Sequence, residues 1–252
     1  LSKNKERFDE EGIILVVSNN EFIEICNDKW KTYNFLKSKD IKVPKTYIDL
    51  KKLYKDIENN VIKYPIIIKP RWGMGSISIL EADNGEELKI LYNKAKRNIF
   101  ETYLKYESSM DIENCVLFQE KINGVEYGLD VINDLNGDYV NTIVKRKYAM
   151  RSGETDCAKT EKNEKMERLG EKISSYSRHI ANLDVDVFLT DNDLYVLEMN
   201  ARFGGGYPFS HMAGVNLPKA IITWAQGEKV DNSLLYAKNN ILCHKDIRII
   251  EL

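Results

Sequence analysis

The spacing of apolar residues along this chain predicts a mixture of helices and strands. Over residues 161–182 the apolar side chains of Met166, Leu169 and Ile173 recur every three or four positions, which predicts an amphipathic helix. The same criterion predicts further helices at residues 28–38, 50–60, 85–105 and 216–227. Asp28 is a suitable N-cap for the first of these four helices, because its carboxylate can accept hydrogen bonds from the first backbone N–H groups.

Apolar runs bounded by glycine, proline and asparagine predict the strands. Single strands are predicted for "YPIIIKP" (64–70), "SISIL" (76–80) and "NCVLFQEKI" (114–122). Hairpins are predicted where 125–134 and 138–147 flank "LNG", and where 185–190 and 193–200 flank "DND". This order of elements predicts an α+β (α/β) protein with a small inserted lobe around 61–118.

The first residues form an unusual beginning for a domain. A predicted helix ends at Gly12 and is followed by "IILVVS" (13–18), an apolar run that predicts a buried strand. A domain rarely begins with its last helix and strand. We therefore expect this segment to close a domain whose first part precedes Leu1.

Composition narrows the class of protein. The chain has 252 residues, of which 43% are hydrophobic, and this is enough for a sizeable core. Its 37 Lys and Arg against 39 Asp and Glu give a net charge of −2, which does not favour nucleic acid or a membrane surface as the partner. No apolar run approaches the ~20 residues needed to cross a bilayer, and the four cysteines form no CxxC pair. We expect a cytoplasmic protein.

The segment "VLEMNARFGGG" (196–206) predicts a metal site. Alternate residues of a strand share a face, so Glu198, Asn200 and Arg202 would project together. Folding the hairpin about Asn192 places Asp186 opposite Glu198. Two close carboxylates repel each other unless a cation lies between them, and carboxylate and amide oxygens suit Mg²⁺. Arg202 could then hold a phosphate or an oxyanion; the alternative is a solvated sheet face with an arginine–carboxylate pair.

"IIIKPRWGMGSIS" places Lys69 at the end of a predicted strand, before a loop that contains Gly73 and Gly75. Small residues let backbone N–H groups approach phosphate oxygens, and Lys69 adds a positive charge. An ordinary turn is the alternative.

Two further segments carry candidate binding residues. In "FQEKINGVEYGLDV" the backbone at the strand end can bind an adenine edge, and Glu126 can accept hydrogen bonds from ribose hydroxyls; the alternative is a solvent-facing carboxylate. "VKRKYAMRSGETD" holds Lys145, Arg146, Lys147 and Arg151 within seven residues. This cluster predicts an anionic substrate or product, and a solvated run of charges is the alternative.

Taken in order, these segments resemble the ATP-grasp superfamily, above all the ATP-binding half-domains of the carbamoyl phosphate synthetase large subunit and small related ligases. The resemblance covers roughly residues 13–230, and its most specific part is "DVDVFLTDNDLYVLEMNARFGGG". It implies two α+β lobes that clasp ATP, preceded by the remnant of a Rossmann-like preATP-grasp domain. The implied parts are the remnant (1–26), linking helices (27–60), a small lid lobe (61–118) and a large lobe with the metal site (119–252).

The resemblance also implies roles for individual residues. The Mg²⁺ ligands, which would also accept Mn²⁺, are Asp186, Glu198 and Asn200, and the catalytic residues near the phosphates are Arg202 and Lys69. The nucleotide contacts are Lys29, Lys69, Gly73, Met74, Gly75, Ser76, Glu120, Lys121, Ile122 and Glu126. The substrate contacts are Lys145, Arg146 and Arg151.

The implied activity is that of an ATP- and Mg²⁺-dependent ligase, which activates a carboxylate as an acyl phosphate for attack by an amine or similar nucleophile. Two departures weigh against bicarbonate as the substrate: Asp186 stands where the synthetases usually have Gln, and Arg151 stands where their first half-domain has His. An enzyme that forms carboxyphosphate or carbamate is one alternative, and a non-catalytic ATP-binding regulatory module is the other. The expected partners are small-molecule carboxylates and amines, without nucleic acid or membrane, and homo-oligomerisation is left open.

Overall fold

The computed structural model describes residues 1–73, 75 and 77–247. The chain divides into two compact units. Unit 1 comprises Leu1–Ile23, Val125–Leu189 and Met199–Leu252, and unit 2 comprises Glu24–Gly124 and Thr190–Glu198.

Helices and strands alternate in the first half of the chain, and strands dominate its centre. The helices are α1 (Lys5–Glu10), α2 (Asn20–Asn27), α3 (Lys29–Ser38), α4 (Leu50–Glu58), α5 (Gly85–Glu101), α6 (Lys105–Ser108), α7 (Glu164–Ser177), α8 (Tyr207–Met212) and α9 (Leu217–Ala225). The strands are β1 (Thr46–Tyr47), β2 (Ile66–Pro70), β3 (Leu80–Ala82), β4 (Val116–Glu120), β5 (Val125–Asn133), β6 (Tyr139–Arg151), β7 (Glu154–Glu161), β8 (Asn182–Leu189), β9 (Leu194–Asn200) and β10 (Leu242–His244). Short 3₁₀ helices lie at Ser2–Asn4 and Asn232–Leu235. Of the helices described, none is long and apolar enough to span a bilayer.

Unit 2 is built on a sheet with the strand order β1–β4–β2–β3. β2 lies in its interior and pairs antiparallel with β3 and β4. Ile66 and Ile68 of β2 are fully buried and belong to a core cluster that includes Leu88 and Ile99 of α5. Burial of these apolar side chains holds β2 in place, and with it Lys69 near the strand end.

The sheet of unit 1 has the strand order β10–β7–β6–β5–β8–β9, where β9 contributes its last two residues, Met199 and Asn200, to this unit. β5 pairs antiparallel with β6 on one side and β8 on the other. α7 packs against β6 and β5, and a second core cluster joins Ile132 and Ile143 of the sheet to Tyr207 of α8. Side chains on these central strands are therefore held in a fixed register.

Most predicted elements are confirmed. Asp28 caps α3, with its Oδ1 accepting from Trp30 N at 2.9 Å, and α1 is followed by Gly12 at φ +71°. Both predicted hairpins form, and Pro218 lies near the start of α9 as expected. These features depend on residues close in sequence, which is why the sequence indicates them well.

The predicted strand "IILVVS" is wrong. Residues 13–18 are not strand, and Ile13 and Ile14 are 49% and 60% exposed. A strand needs a neighbour to satisfy its backbone groups, and no strand among the described residues pairs with this segment. The predicted strand at 76–80 is also displaced, because β3 begins only at Leu80; Ser76 lies outside the described residues.

Two predicted boundaries differ in the centre of the chain. The helix predicted over 161–182 ends at Ser177, because Arg178 adopts a left-handed conformation at φ 41° and β8 begins soon afterwards. The strand predicted over 138–147 continues to Arg151 as β6, which forms a hairpin with β7 whose turn contains Ser152 and Gly153. β7 was not predicted, because its sequence "ETDCAKTE" lacks large apolar residues.

Candidate functional site

Lys69 occupies a buried position on β2. Its Nζ donates a hydrogen bond to Gln119 Oε1 at 2.8 Å, and Gln119 Nε2 donates to Thr46 Oγ1 at 2.8 Å. Lys69 is 4% exposed. Burial, and then the ammonium of Lys29, lower the pKa of Lys69 to about 8, while Glu198 raises it. Lys69 therefore carries a positive charge at neutral pH in surroundings poor in water, which strengthens its attraction for an anion.

Lys29 is held beside Lys69 by an ion pair around the start of α3. The Arg71 guanidinium donates to Asp28 through Nε (2.9 Å to Oδ1) and Nη2 (2.7 Å to Oδ2), and through Nη1 to Asp111 Oδ2 at 3.0 Å. The backbone N–H of Lys29 donates to Arg71 O at 3.1 Å. Burial lowers the pKa of Lys29 too. Because Arg71 directly follows β2, this network fixes the ammonium of Lys29 near that of Lys69.

The glycine loop after β2 is in contact with Lys29. Gly73 O accepts a hydrogen bond from Lys29 Nζ. Gly73 has φ +102° and Gly75 has φ +73°, conformations that favour glycine. Met74 and Ser76, which were also predicted to contact the nucleotide, lie outside the described residues. The loop thus lies against the partly buried ammonium of Lys29, while contact of its backbone N–H groups with a phosphate stays a prediction.

The strand end predicted to bind adenine is braced by a neighbouring segment. Glu120 N donates to Lys45 O at 2.8 Å, and Glu120 Oε2 accepts from Lys45 N at 3.1 Å. Lys121 Nζ pairs with Glu81 Oε1 at 2.7 Å. Ile122 follows outside any strand. These contacts hold Glu120 and the Lys121 side chain in place, while contact with a base stays a prediction.

Three strands of unit 1 bring Glu126, Lys147 and Asp186 together. Lys147 Nζ donates to Glu126 Oε1 at 2.7 Å and to Asp186 Oδ1 at 2.6 Å. Gly128 of β5 pairs with Lys145 of β6 on one side and with Asp186 of β8 on the other. Although burial lowers the pKa of Lys147, Asp186 and Glu126 outweigh it and raise that pKa well above its usual value. The predicted ribose ligand and a predicted metal ligand therefore share one ammonium group.

Lys145 forms a buried ion pair with Asp130. Their side chains are 2% and 0% exposed. Asp130 also accepts from Ser210 Oγ and, at 3.4 Å, from Asn182 Nδ2, while Lys145 Nζ donates to Gly206 O at 3.2 Å. The charge of Lys145 is thus neutralised in the interior, whereas the sequence predicted that it would contact a substrate.

Asp184 lies two residues before Asp186 on β8 and packs against Gly204. A Cβ atom at Gly204 would overlap the Asp184 carboxylate, so a glycine is required there by close approach. Burial, and then the negative charge of Asp186, raise the pKa of Asp184 to about 7. The first glycine of the "GGG" run is therefore explained by a carboxylate twenty residues earlier in the chain.

Asn200 and Arg202 lie where β9 ends. Asn200 is the last strand residue, and Arg202 follows in a bend, so the predicted strand alternation does not extend to Arg202. Arg202 N donates to Asn200 O at 2.8 Å, and Arg202 O accepts from Asn182 Nδ2 at 3.2 Å. The Arg202 side chain donates through Nη1 to Phe203 O at 3.0 Å. The predicted pairing of Asp186 with Glu198 stays a prediction.

The predicted cluster of substrate-binding cations does not converge. Lys145 and Arg146 are neighbours on β6 and therefore face opposite sides of the sheet. The Arg146 guanidinium lies 5.1 Å from the centre of the Tyr148 ring. Arg151, at the end of β6, pairs with Asp156. Lys145, Arg146 and Arg151 thus have three different surroundings, and their contact with a substrate stays a prediction.

Sequence reasoning missed Arg71, and it placed Lys147 only within a run of cations, without its partners. The signal for Lys147 was the hairpin register: when Tyr127 pairs with Arg146, the next residue of β6 falls beside Glu126. Nothing comparable exists for Arg71, because its partners Asp28 and Asp111 lie about forty residues away in each direction.

The proposed metal ligands offer oxygen atoms alone. Asp186 lies on β8, and Glu198 and Asn200 lie on β9. Within residues 1–73, 75 and 77–247, no three His, Cys, Asp or Glu side chains are grouped so as to hold a metal ion. The predicted ligands Asp186, Glu198 and Asn200 are not such a group, because Asn200 contributes an amide instead of a third carboxylate. These hard oxygen donors fit Mg²⁺ or Mn²⁺.

Comparison with known sequences gives consistent matches. A family model described as an ATP-grasp domain matches residues 26–206. The carbamoyl phosphate synthase large chain of Helicobacter pylori is 29% identical over 234 residues, which cover 87% of this chain and 20% of that protein. The same protein of Pseudothermotoga lettingae is 22% identical over 239 residues, covering 90% and 20%. The chain therefore spans about a fifth of the length of these curated relatives.

Solved structures match over most of the chain. The biotin carboxylase domain of Hydrogenobacter thermophilus 2-oxoglutarate carboxylase, crystallised with MgADP, ADP and bicarbonate, has a TM-score of 0.75 and 19% identity, covering 96% of this chain and 54% of that one. D-alanine–D-alanine ligase from Bacillus anthracis has a TM-score of 0.62 and 20% identity, covering 88% and 75%. At these identities the likeness establishes the fold.

Proposed function

Because the chain belongs to the ATP-grasp family and has the ATP-grasp fold, we propose that it is an ATP-dependent ligase. In this reaction a carboxylate attacks the γ-phosphate of ATP and ADP leaves. An amine or similar nucleophile then attacks the resulting acyl phosphate, loses a proton and displaces inorganic phosphate. The observation that carries the proposal is the pair of neighbouring ammonium groups, the buried Lys69 and the partly buried Lys29, of which Lys29 contacts the carbonyl of Gly73. Two cations next to a glycine loop suit a polyphosphate.

The main chemical difficulty is that two anions must approach each other. Lys29, Lys69 and Arg202 would offset the repulsion and stabilise the charge that develops on the transferred phosphoryl group. Mg²⁺ would add positive charge at the phosphate oxygens, held by Asp186, Glu198 and Asn200. Glu126 would bind the ribose hydroxyls. This reaction needs no side-chain nucleophile.

Formation of carboxyphosphate or carbamate is the second candidate. Its support is the similarity to the carbamoyl phosphate synthase large chain, at 29% identity over 234 residues. Asp186 and Arg151 weigh against it, as departures from the pattern of those synthetases. The two candidates differ in the first acceptor of the phosphoryl group, which is an organic carboxylate in one and bicarbonate in the other.

The proposal can be tested by measuring the release of ADP from ATP in the presence of Mg²⁺. The assay would use a panel of carboxylates combined with amines, and bicarbonate would form a separate arm. Turnover that requires both an organic carboxylate and an amine would support the ligase. Turnover that requires bicarbonate would support the second candidate. Stabilisation by ATP without turnover in any arm would favour a non-catalytic module, and no thermal stabilisation by millimolar ATP and Mg²⁺ would reject the nucleotide site.

Glu198→Gln tests the metal site at nearly constant shape. Because phosphoryl transfer depends on the metal, we expect turnover to fall by roughly two orders of magnitude or more. Glu161→Gln is the matched control: Glu161 pairs with Lys159 at 2.8 Å on β7, and its variant should keep activity. Glu126→Ala should weaken ATP and ADP alike by about 1.5–3 kcal/mol. Full turnover in Glu198→Gln at saturating ATP and Mg²⁺ would contradict the assignment.

The proposed substrates are a small-molecule carboxylate and an amine, with neither nucleic acid nor membrane as a partner. A cytoplasmic location is part of the same proposal, and homo-oligomerisation is left open.

A further inference from the structure

Lys147 reaches across a strand to join two other strands of unit 1. Its side chain begins on β6 and passes over Gly128 of β5, where a Cβ atom would lie 3.4 Å from Lys147 Cε and 3.9 Å from Asp186 Oδ1. It ends between Glu126 and Asp186, at 2.7 and 2.6 Å. The Lys147 stem thus lies at van der Waals contact distance from the space above Gly128.

The charges on this face of the sheet make the position of Lys147 significant. Asp184 and Asp186 follow one another on the same side of β8, and Glu126 lies on β5. Lys145 is already paired with Asp130 in the interior. The Lys147 side chain is 8% exposed, against 27% for Glu126 and 19% for Asp186. The Lys147 ammonium therefore lies at close range to both of these carboxylates and offsets their charge.

We infer that the Lys147 ammonium is a resident counter-cation, which a divalent metal must displace from Asp186 Oδ1. The inference rests on the proposed function, which takes Asp186 as a metal ligand. A Mg²⁺ ion binds a carboxylate oxygen at about 2.0–2.1 Å, and Nζ now lies 2.6 Å from that oxygen. Two cations cannot approach the same oxygen so closely without strong repulsion in a partly buried site.

Displacement of the Lys147 ammonium would couple the binding of metal to the binding of nucleotide. Once separated from Asp186, the ammonium keeps Glu126 as its partner and becomes available to an anion. A phosphate group that accepts this charge would favour displacement, so nucleotide and metal should bind more tightly together than separately. Lys147 is thereby a positioning residue that couples the two, and without nucleotide it weakens the binding of metal.

The test is the affinity of the metal-free protein for Mn²⁺ without nucleotide, measured by electron paramagnetic resonance of free Mn²⁺. Lys147→Gln removes the competing charge and should bind Mn²⁺ about tenfold more tightly than the parent. Its metal-free melting temperature should be lower, because Glu126 and Asp186 lose their partner, and Mn²⁺ should restore it. Lys147→Met keeps the aliphatic stem over Gly128 and should behave in the same way if Lys147→Gln folds poorly.

Two control variants separate this effect from a general loss of charge. Lys147→Arg keeps a cation at the site and should bind Mn²⁺ no more tightly than the parent. Lys159→Gln removes a lysine that pairs with Glu161 at 2.8 Å on the same sheet, and its Mn²⁺ affinity should match the parent.

Equal or weaker Mn²⁺ binding by folded Lys147→Gln and Lys147→Met would overturn the inference. If neither parent nor variants bind Mn²⁺, Asp186 is not a metal ligand and the inference fails with that assignment. The ligase proposal is judged separately by ADP release that depends on a carboxylate and an amine.

Discussion

Lys145→Met distinguishes a structural role from a substrate-binding role for the cations of β6. Methionine keeps most of the aliphatic stem and removes the ammonium. Because Asp130 would then remain buried without its ionic partner, we expect a large loss in the free energy of unfolding. If Lys145 instead binds substrate, the variant would keep its stability and lose only substrate affinity.

The surroundings of Asp130 determine how much Lys145→Met lowers the free energy of unfolding. Removing one partner of a buried ion pair costs about 3–5 kcal/mol. Asp130 would still accept hydrogen bonds from Ser210 Oγ and from Asn182 Nδ2, the latter at 3.4 Å. These donors offset part of the penalty, so we expect a loss of about 3 kcal/mol, the lower end of that range. In the double variant Asp130→Asn/Lys145→Met no charge is left unpaired, and much of the loss should be recovered.

Urea unfolding followed by far-UV circular dichroism and by tryptophan fluorescence would measure the parent, both single variants and the double variant. Lys159→Met is the control: its partner Glu161 is partly exposed, and no resolvable change in midpoint is expected. A Lys145→Met protein that unfolds at the parent's urea midpoint would refute the reasoning. So would single-variant losses that simply add in the double variant, because no coupling would then exist between the two charges.

Three further predictions concern single side chains. Gly204→Ala should lower the free energy of unfolding in urea by about 1–3 kcal/mol, because its Cβ would overlap the Asp184 carboxylate. Gly205→Ala should lower it much less, because its Cβ would come no closer than 3.4 Å to Glu154. Equal urea midpoints for the two variants would contradict this prediction. Burial lowers the pKa of His179 from 6.5 to about 4. As the pH falls, the unfolded chain therefore takes up a proton at His179 before the folded protein does. The free energy of unfolding should decrease by about 3 kcal/mol between those two pH values, at about 1.4 kcal/mol per pKa unit. His179→Gln should lack this part of the pH dependence, and an identical profile would contradict the assignment. Since the pKa of Lys69 is about 8, this side chain loses its positive charge as the pH rises past 8, and ATP affinity measured by calorimetry should decline. Lys69→Arg should keep its affinity, because arginine stays charged. Parallel declines in the two proteins would exclude Lys69 as the cause.

The sequence alone was sufficient for features that depend on nearby residues. The Asp28 cap, the positive φ of Gly12 just after α1 and the two hairpins all follow from short patterns, because caps and turns involve groups a few positions apart. The order of charged and glycine-bearing segments also identified the family, which the match over residues 26–206 confirms. The individual roles of the site residues remain proposals.

Tertiary structure decided which charges meet. In the sequence, Lys145 and Lys147 belong to one run of cations, yet one is neutralised by Asp130 in the interior and the other bridges Glu126 and Asp186. The predicted strand at 13–18 failed for a related reason, since a strand requires a neighbour and apolar composition does not supply one. Gly204 is required by a carboxylate on another strand. In each case the contacting or missing partner is distant along the chain. Strand register and burial therefore determine which charges surround the residue and how much space it has.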